Sequence, residues 1–362
     1  MDRRNFSIVY VFMRNAMNKK KIKVVCGIVL VVLAVIAFAV ILNFFEKKAD
    51  EKEAKKNNQT TKETNEKNPN VGIKKYLQIG DELYKYTDDV ESYLIIGTDN
   101  SGNEEAVDDK YRGTMADFLL LLVINKTKNE YGYIQLNRDT ICDVKEVDSN
   151  GEGEGMEELQ LCTAHWYGKD KEQSCENTVN SVSLLLGELD INGYYSVGME
   201  DISKINHLVG GVEVKIEDDL SKEDPALKEG SVVKLTDEQA QKYIRARMDV
   251  GDGDNISRMR RQRTYMSAYV KKAKEMFDEN PKFVNDAYKD MTDNAVTDIN
   301  GNKVSKIANM LSKMTSKGIL TFDGESKLGK KLGDGIEHAE FYADKLSIVE
   351  VLKSLYYIEI DD

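Results

Sequence analysis

Two kinds of side chain in this sequence could do chemistry together: short carboxylates at the ends of apolar runs, and a set of arginines. Asp99 closes the run Tyr93–Asp99 (YLIIGTD), and Asp117 stands just before the run Phe118–Asn125 (FLLLLVIN). Strand ends deliver short side chains to the rim of a sheet, where ligands bind in open α/β sheets. Two carboxylates converging there suit a hard divalent cation. Mg²⁺ is the foremost choice, since it takes one or two carboxylates and completes its shell with phosphate oxygens and water. The competing reading is that each Asp caps its own turn.

The arginines are Arg138 in Asn-Arg-Asp-Thr, Arg245 and Arg247 in Tyr-Ile-Arg-Ala-Arg, and Arg258, Arg260, Arg261 and Arg263 in SRMRRQR. On a helix beginning at Ser257, Arg258 and Arg261 share a face with Gln262, and Arg260 and Arg263 fall on another, solvated side. Guanidinium forks bind phosphates bidentately. A set of structural arginine–carboxylate pairs is the alternative. Other chemistries find no support. There is no Gly-x-Ser-x-Gly turn, no Walker loop and no GxGxxG. Of the three histidines, His207 in KINHLVGG reads as a helix-surface or packing residue. The spacing of Cys162, His165 and Cys175 matches no standard zinc site.

These residues need strands and helices to position them. Phe118–Asn125 is apolar on both faces, as in a covered sheet. After the polar turn KTKNE, Tyr131–Leu136 predicts the second arm of a hairpin. Apolar spacing predicts helices over Glu176–Leu189 and Asp201–Val209, and alternation predicts a strand over Gly211–Ile216. Thr236-Asp-Glu-Gln239 is a capping-box pattern opening a helix toward Arg247. Further helices are expected over Ser257–Phe277, Asn302–Ser316 and Leu346–Tyr356. Strands and helices mixed without clean βαβ alternation predict a layered α/β domain with a central mixed sheet.

The chain of 362 residues carries a net charge of -12. An acidic balance argues against general nucleic-acid binding, which draws its affinity from neutralising phosphates. The charge is unevenly placed. Residues 1–23 carry seven basic residues and one acid, residues 24–45 carry no charge, and residues 46–70 hold seven Lys against six acids. That leaves -19 for residues 71–362. Val24–Phe45 is 22 residues with Asn43 as its only strongly polar side chain, long enough to cross a hydrocarbon core of roughly 30 Å as a helix. It is too long for the apolar region of a cleaved signal peptide. The basic residues before it keep the N-terminus cytoplasmic and place the acidic body outside. Residues 46–70 read as a charged tether, 71–277 as the main domain and 278–362 as a helical part packed on or extending it. An exported body permits disulfides. Cys162 and Cys175, 13 apart around a polar loop, are the preferred pair, with Cys142 left over.

The motifs taken together resemble one family. They are Leu-Ile-Ile-Gly-Thr-Asp99, Met115-Ala-Asp117, Asn-Arg138-Asp139-Thr140, Gly210-Gly-Val-Glu-Val214, Leu235-Thr-Asp-Glu-Gln-Ala240, Tyr243-Ile-Arg245-Ala-Arg247 and Arg258-Met-Arg-Arg261-Gln262. Their order and spacing are similar to the LytR–CpsA–Psr family of bacterial cell-envelope proteins, from about Leu94 to Val270. The resemblance implies an extracytoplasmic, Mg²⁺-dependent phosphotransferase in cell-wall assembly. Such an enzyme moves a glycopolymer of teichoic acid or capsule type from an undecaprenyl-pyrophosphate carrier to peptidoglycan. A hydrophobic groove would take the polyprenyl chain. By motif position, Asp99 and Asp117 would hold Mg²⁺. Arg138, Arg245, Arg247, Arg261 and Gln262 would hold the pyrophosphate, with Arg258 in support. Asp254 falls near the acid that activates the acceptor hydroxyl.

Two departures bear on these assignments. The family's Arg-Ser-Asp reads Met115-Ala116-Asp117 here, so one pyrophosphate-binding arginine is missing, and Arg112 is the nearest substitute. The loop before Arg258 is one residue longer than usual, leaving Asp252 and Asp254 both open as the acid. Two other functions stay open beside transfer: a non-catalytic polyprenyl-phosphate-binding regulator, and a lipid pyrophosphatase in which water replaces the acceptor.

Overall fold

The computed structural model describes residues 75–79, 82–99, 113–148, 150–247, 250–251, 253–332 and 335–360. The basic tip, the apolar run Val24–Phe45, the tether, Arg112 and Asp252 lie outside them. Among the described residues no helix is long and apolar enough to cross a membrane.

In chain order the strands are β1 (Tyr76–Ile79), β2 (Glu82–Tyr86), β3 (Val90–Thr98), β4 (Ala116–Asn125), β5 (Glu130–Leu136), β6 (Ile141–Val147), β7 (Gly153–Gln160), β8 (Tyr194–Gly198), β9 (Glu213–Lys215), β10 (Val232–Lys234), β11 (Val296–Thr297), β12 (Thr315–Leu320), β13 (Gly324–Gly329), β14 (His338–Ala343) and β15 (Tyr357–Ile360). The α-helices are α1 (Lys171–Leu185), α2 (Ile202–Leu208), α3 (Asp237–Arg245), α4 (Asn255–Glu279), α5 (Phe283–Thr292), α6 (Gly301–Leu311) and α7 (Lys345–Tyr356). A 3-10 helix covers Leu161–Trp166.

Six strands form the central sheet in the order β11-β8-β3-β4-β5-β12. β4 runs antiparallel to β3 and β5, whereas β8 is parallel to β3 and β12 is parallel to β5. The unbroken apolar run of β4 is explained by its two covered faces. Alternate residues sort to opposite sides. Leu120, Leu122 and Ile124 join one core with Ile95, Tyr133 and Tyr195, beneath residues of α2 to α6. Leu119, Leu121 and Val123 join a second core with Leu94, Ile96 and Leu136, covered by α1 and α7. The result is a three-layer mixed α/β sandwich.

Strand direction brings the chemistry to one rim. The C-terminal ends of β3, β5, β8 and β12 and the N-terminal end of β4 all lie there. So Asp99, Asp117 and Arg138, carried on or just beyond three adjacent strands, share that rim.

The expected helices are present with shifted ends. Asp170 caps α1 by accepting from the Gln173 backbone N–H at 2.9 Å, so that helix begins before Glu176. The expected capping box is formed, with Thr236 Oγ1 accepting from the Gln239 N–H. Residues 278–362 also contribute strands, of which β12 extends the central sheet and β15 pairs with β2. The expected Cys162–Cys175 disulfide is not formed. Cys142, Cys162 and Cys175 are all free and buried. The physical reason is orientation: Cys162 Sγ points toward Gln160 Oε1, whereas Cys175 Sγ lies 3.6 Å from His165 Nε2. Burial pushes the Cys142 and Cys175 thiols above the ordinary thiol range.

Candidate functional site

Asp117 owes its orientation to a defect in the sheet. Gly97 pairs with Phe118 and Thr98 pairs with Ala116, so Asp117 is the extra residue of a β-bulge. Bulges re-aim a side chain at a strand end. The Asp117 Oδ1 is ion-paired with Arg138 Nη1, and Arg258 Nη2 approaches the same oxygen at 3.8 Å. Arg138 Nε lies 3.3 Å from Asp139 Oδ1, and Arg247 Nη2 lies 3.8 Å from Asp139 Oδ2.

Three guanidinium groups thus face two carboxylates, a local excess of one positive charge inside an acidic body. Arg258 registers that crowding. Burial first, then the Arg138 and Arg247 cations, bring it down from the ordinary 12.5 to about 9. Its Nε and Nη2 are held on Asn255 Oδ1 at 2.9 and 2.6 Å. Asn255 Nδ2 in turn donates to Asn137 Oδ1 at 2.7 Å. Arg247 Nε is buried without a hydrogen-bond partner among the described residues. An anion seated here would satisfy that donor and relieve the repulsion between cations.

The loop and strand ends are held from behind. The Cys162 N–H donates to the Arg138 carbonyl at 3.0 Å, and the Gly113 N–H donates to the Trp166 carbonyl at 2.9 Å. His165 Nδ1 lies 2.9 Å from the Thr114 carbonyl. Since a carbonyl only accepts, Nδ1 carries the proton there. Burial lowers His165 to about 4, with the Thr114 bond opposing, so the ring is neutral near pH 7. The 3-10 helix therefore clamps both Arg138 and the approach to Asp117.

The remaining expected residues are placed as follows. Asp99 and Arg245 form a separate pair, Arg245 Nη2 donating to Asp99 Oδ1 at 2.9 Å. The Asp99 N–H reaches the Met115 carbonyl at 3.4 Å. For both Asp99 and Asp117 the arginine contacts fall on Oδ1, leaving a second carboxylate oxygen on each. That donor set, hard oxygens on adjacent strand ends, fits Mg²⁺. Asp254 is the N-cap of α4, its Oδ1 accepting from the Ser257 N–H at 2.8 Å. The two glycines before it, Gly251 and Gly253, take φ of 59° and 73°, which turns the chain into that cap.

Arg261 does not join the cluster. Its side chain is 0% exposed, with Nη1 on Asp218 Oδ2 at 2.6 Å and its other nitrogens on the Tyr243 and Ala246 carbonyls. Arg260 shares the same carboxylate through Oδ1 at 2.5 Å. The expected grouping of Arg258 with Arg261 therefore gives way to Arg260 with Arg261, because Asp218 captures both. Arg263 is half-buried and donates to Gln135 Oε1 at 2.8 Å, where solvent was expected.

Gln262 lies at a junction. Its Oε1 accepts from Gln135 Nε2 at 3.3 Å, and its Nε2 is buried without a hydrogen-bond partner among the described residues. It lines an apolar cleft of about 60 Å³ between the sheet face and α2 to α4, walled by Ile95, Phe118, Met199, Ile205 and Tyr265. Asp139, Asn137, Asn255 and Gln135 were not foreseen as site residues. For Asn255 a signal existed, its three-residue spacing from Arg258 on one helix face.

Comparison with known proteins agrees with this architecture. The model of the LytR_cpsA_psr family matches residues 39–355. The polyisoprenyl-teichoic acid–peptidoglycan teichoic acid transferase TagU of Bacillus cereus (strain ATCC 14579) is 27% identical over 181 residues, 50% of this chain and 52% of that protein. TagU of Bacillus mycoides (strain KBAB4) is 29% identical over the same shares. The chain spans about half the length of these curated relatives. Among solved structures, protein gbs0355 of Streptococcus agalactiae superposes with a TM-score of 0.56 at 20% identity, covering 74% of this chain and 86% of that one. TagV of B. subtilis gives 0.52 at 20% identity, covering 74% and 95%.

Proposed function

This chain belongs to the LytR_cpsA_psr family, and from that premise we propose that it transfers a glycopolymer from a polyprenyl-pyrophosphate carrier to peptidoglycan. The single observation that carries the reading is the cluster of Arg138, Arg247 and Arg258 against Asp117 and Asp139, together with an apolar cleft whose lining includes Phe118, the residue that follows Asp117. A diphosphate with a prenyl tail matches both halves. Charge-assisted contacts of guanidinium to phosphate contribute about 1.5–3 kcal/mol each, and the cleft takes apolar chain that would otherwise face water. The TagU relatives are named for the same class of reaction, teichoic acid transfer to peptidoglycan, and TagT, whose fold is alike, has been solved bound to LI-WTA.

In this reading an acceptor hydroxyl attacks the phosphorus that carries the glycopolymer. A new P–O bond forms, and the bridging P–O bond breaks with its electron pair on the departing polyprenyl monophosphate. Such chemistry is mostly positioning and charge neutralisation. Arg138, anchored by Asp117 and Asp139, faces the bridge, with Arg247 and Arg258 beside it. Gln262 places its free Nε2 where the head group meets the tail. The second oxygen of Asp254 accepts the hydroxyl proton. Asp99 and Asp117 would hold Mg²⁺, which supplies further charge neutralisation when bound. Val24–Phe45 would keep the protein in the bilayer that carries its donor, raising the effective concentration of one for the other.

The test is transfer of a labelled lipid-linked polymer to peptidoglycan by the full chain in vesicles. Arg138→Ala and Asp99→Ala should each lose at least a hundredfold in turnover. Undiminished transfer by either would sink the assignment. A second reading, polyprenyl-phosphate binding without turnover, is favoured by Met115, which places a thioether beside Arg138. Tight binding of the carrier with no transfer at any Mg²⁺ concentration would select it.

A further inference from the structure

Past Arg138 the rim carries a second cavity, different in character from the apolar cleft. It has a volume of about 210 Å³, and its lining includes Gln135, Asn137, Arg263, Asp323, Phe322 and Phe341, with Ile256 and Thr321 beside them. It is built where β12 lies parallel to β5, so that the residues following Leu320 emerge beside Asn137. The strand β14 closes it, the Phe341 N–H donating to the Asp139 carbonyl at 2.8 Å.

Its back wall is wired to the cation cluster. Asn137 Oδ1 receives Asn255 Nδ2, and Asn255 holds Arg258. On the other side Gln135 receives Arg263 and donates to Gln262, which lines the apolar cleft. The second cavity therefore adjoins the cluster through Asn137 and the apolar cleft through Gln135. The lining of this second cavity combines one cation, one carboxylate, two amides and a hydroxyl with two aromatic rings, Ile256 and Met259. An apolar chain would cover the exposed Asp323 carboxylate and strip it of water, a burial that costs unless the charge is paired. A polyanion would find Arg263 offset by Asp323. A saccharide matches the set, since its hydroxyls bridge amides and ions and its C–H faces lie on rings.

We propose that this cavity is a saccharide subsite that holds the hydroxyl-bearing acceptor chain beside the cation cluster. What the saccharide is used for rests on the transfer reading above; that it binds here does not.

The experiment measures binding of a soluble tetramer of β-1,4-linked N-acetylglucosamine to the full chain in detergent, by calorimetry. A prenyl monophosphate is titrated in parallel as a report on the cluster and cleft. Thr321→Trp and Ile256→Trp place an indole in the cavity from half-buried and exposed positions, and Asp323→Asn removes its carboxylate. Saccharide affinity should fall at least tenfold in the Trp variants and severalfold in Asp323→Asn, with prenyl monophosphate affinity within twofold of the parent in all three. Saccharide affinity unchanged across the variants, or no saccharide binding by the parent, overturns the proposal. Failure of the transfer reading shows separately, as loss of prenyl monophosphate binding or of transfer.

Discussion

Arg138 Nη2 lies 3.1 Å from the thioether sulfur of Met115. Sulfur is a weak acceptor, so this edge of the guanidinium is seated without being neutralised, whereas its other nitrogens meet Asp117 and Asp139. The family pattern has an arginine at this position, and the chain has a soft, uncharged group. Replacing it should show what the exchange does. Met115→Arg adds a fourth cation beside Arg138. Prenyl diphosphate should then bind about tenfold tighter, a gain of about 1.4 kcal/mol. The ligand-free protein should melt a few degrees lower, because like charges crowd one another. Calorimetric titration and scanning calorimetry check the two halves. Unchanged affinity would place position 115 beyond reach of the head group.

Arg258 gives the cluster an alkaline limit. In the ligand-free protein it is brought down to about 9, so it is charged below that pH and neutral above it. An anion favours the charged form and raises the value on binding. Affinity for prenyl diphosphate should therefore be flat up to about pH 9 and fall above it, by at most about tenfold per pH unit. The ligand's own last phosphate proton is lost at about pH 6 and does not interfere. Arg258→Gln should bind more weakly at pH 8 and show no such fall. Titrations from pH 7 to 10.5 distinguish the two curves.

Much of this site is legible in the sequence because local pattern carries it. Apolar runs that stop at Asp99 and Asp117 fix the strand ends, and the hairpin from β4 to β5 brings Arg138 to the same rim. Thr236 and Gln239 announce the start of α3 by their chemistry. The sequence is silent where partners are distant. Nothing near Arg261 signals that Asp218, 43 residues earlier, would claim it. Spacing on the helix put Arg261 with Arg258, and a buried carboxylate overrode it. The bulge at Asp117 is similarly hidden, since it depends on how two strands register. β12 is invisible as a sheet neighbour because parallel pairing at such separation leaves no local trace.

The Arg261–Asp218 pair separates a structural role from a binding one. Arg261 is fully enclosed, and Asp218 is its carboxylate partner. Removing one member of a buried pair leaves an uncompensated charge and is destabilising by about 3–5 kcal/mol. Asp218→Ala should therefore lower stability by that amount in urea unfolding. Arg261→Met, which removes the charge and fills the volume, should be milder than Asp218→Ala. At temperatures where both remain folded, each should bind prenyl diphosphate within a few-fold of the parent. A hundredfold loss in Arg261→Met with an unaltered unfolding curve would return Arg261 to the binding set.

His165 makes the clamp behind the site acid-sensitive. Its folded value is about 4, lowered by burial, against an ordinary 6.5. Between these values the unfolded chain binds a proton that the folded chain refuses, so stability rises with pH across that window. The contribution is fully present above pH 6.5 and is lost as pH falls toward 4, by at most about 3 kcal/mol. The ring's neutral form is required on both sides: Nδ1–H meets the Thr114 carbonyl, and Nε2 faces Cys175 Sγ at 3.6 Å. Protonation would leave Nε2 a buried cation with no acceptor but a thiol. His165→Gln keeps a donor for Thr114 and cannot titrate. It should be less stable than the parent at pH 7, yet its stability should change less between pH 6.5 and 4, by about one proton's worth of slope. Urea unfolding at half-unit pH steps reads that slope. Parallel curves for the two proteins would mean that His165 is not the group that senses acid.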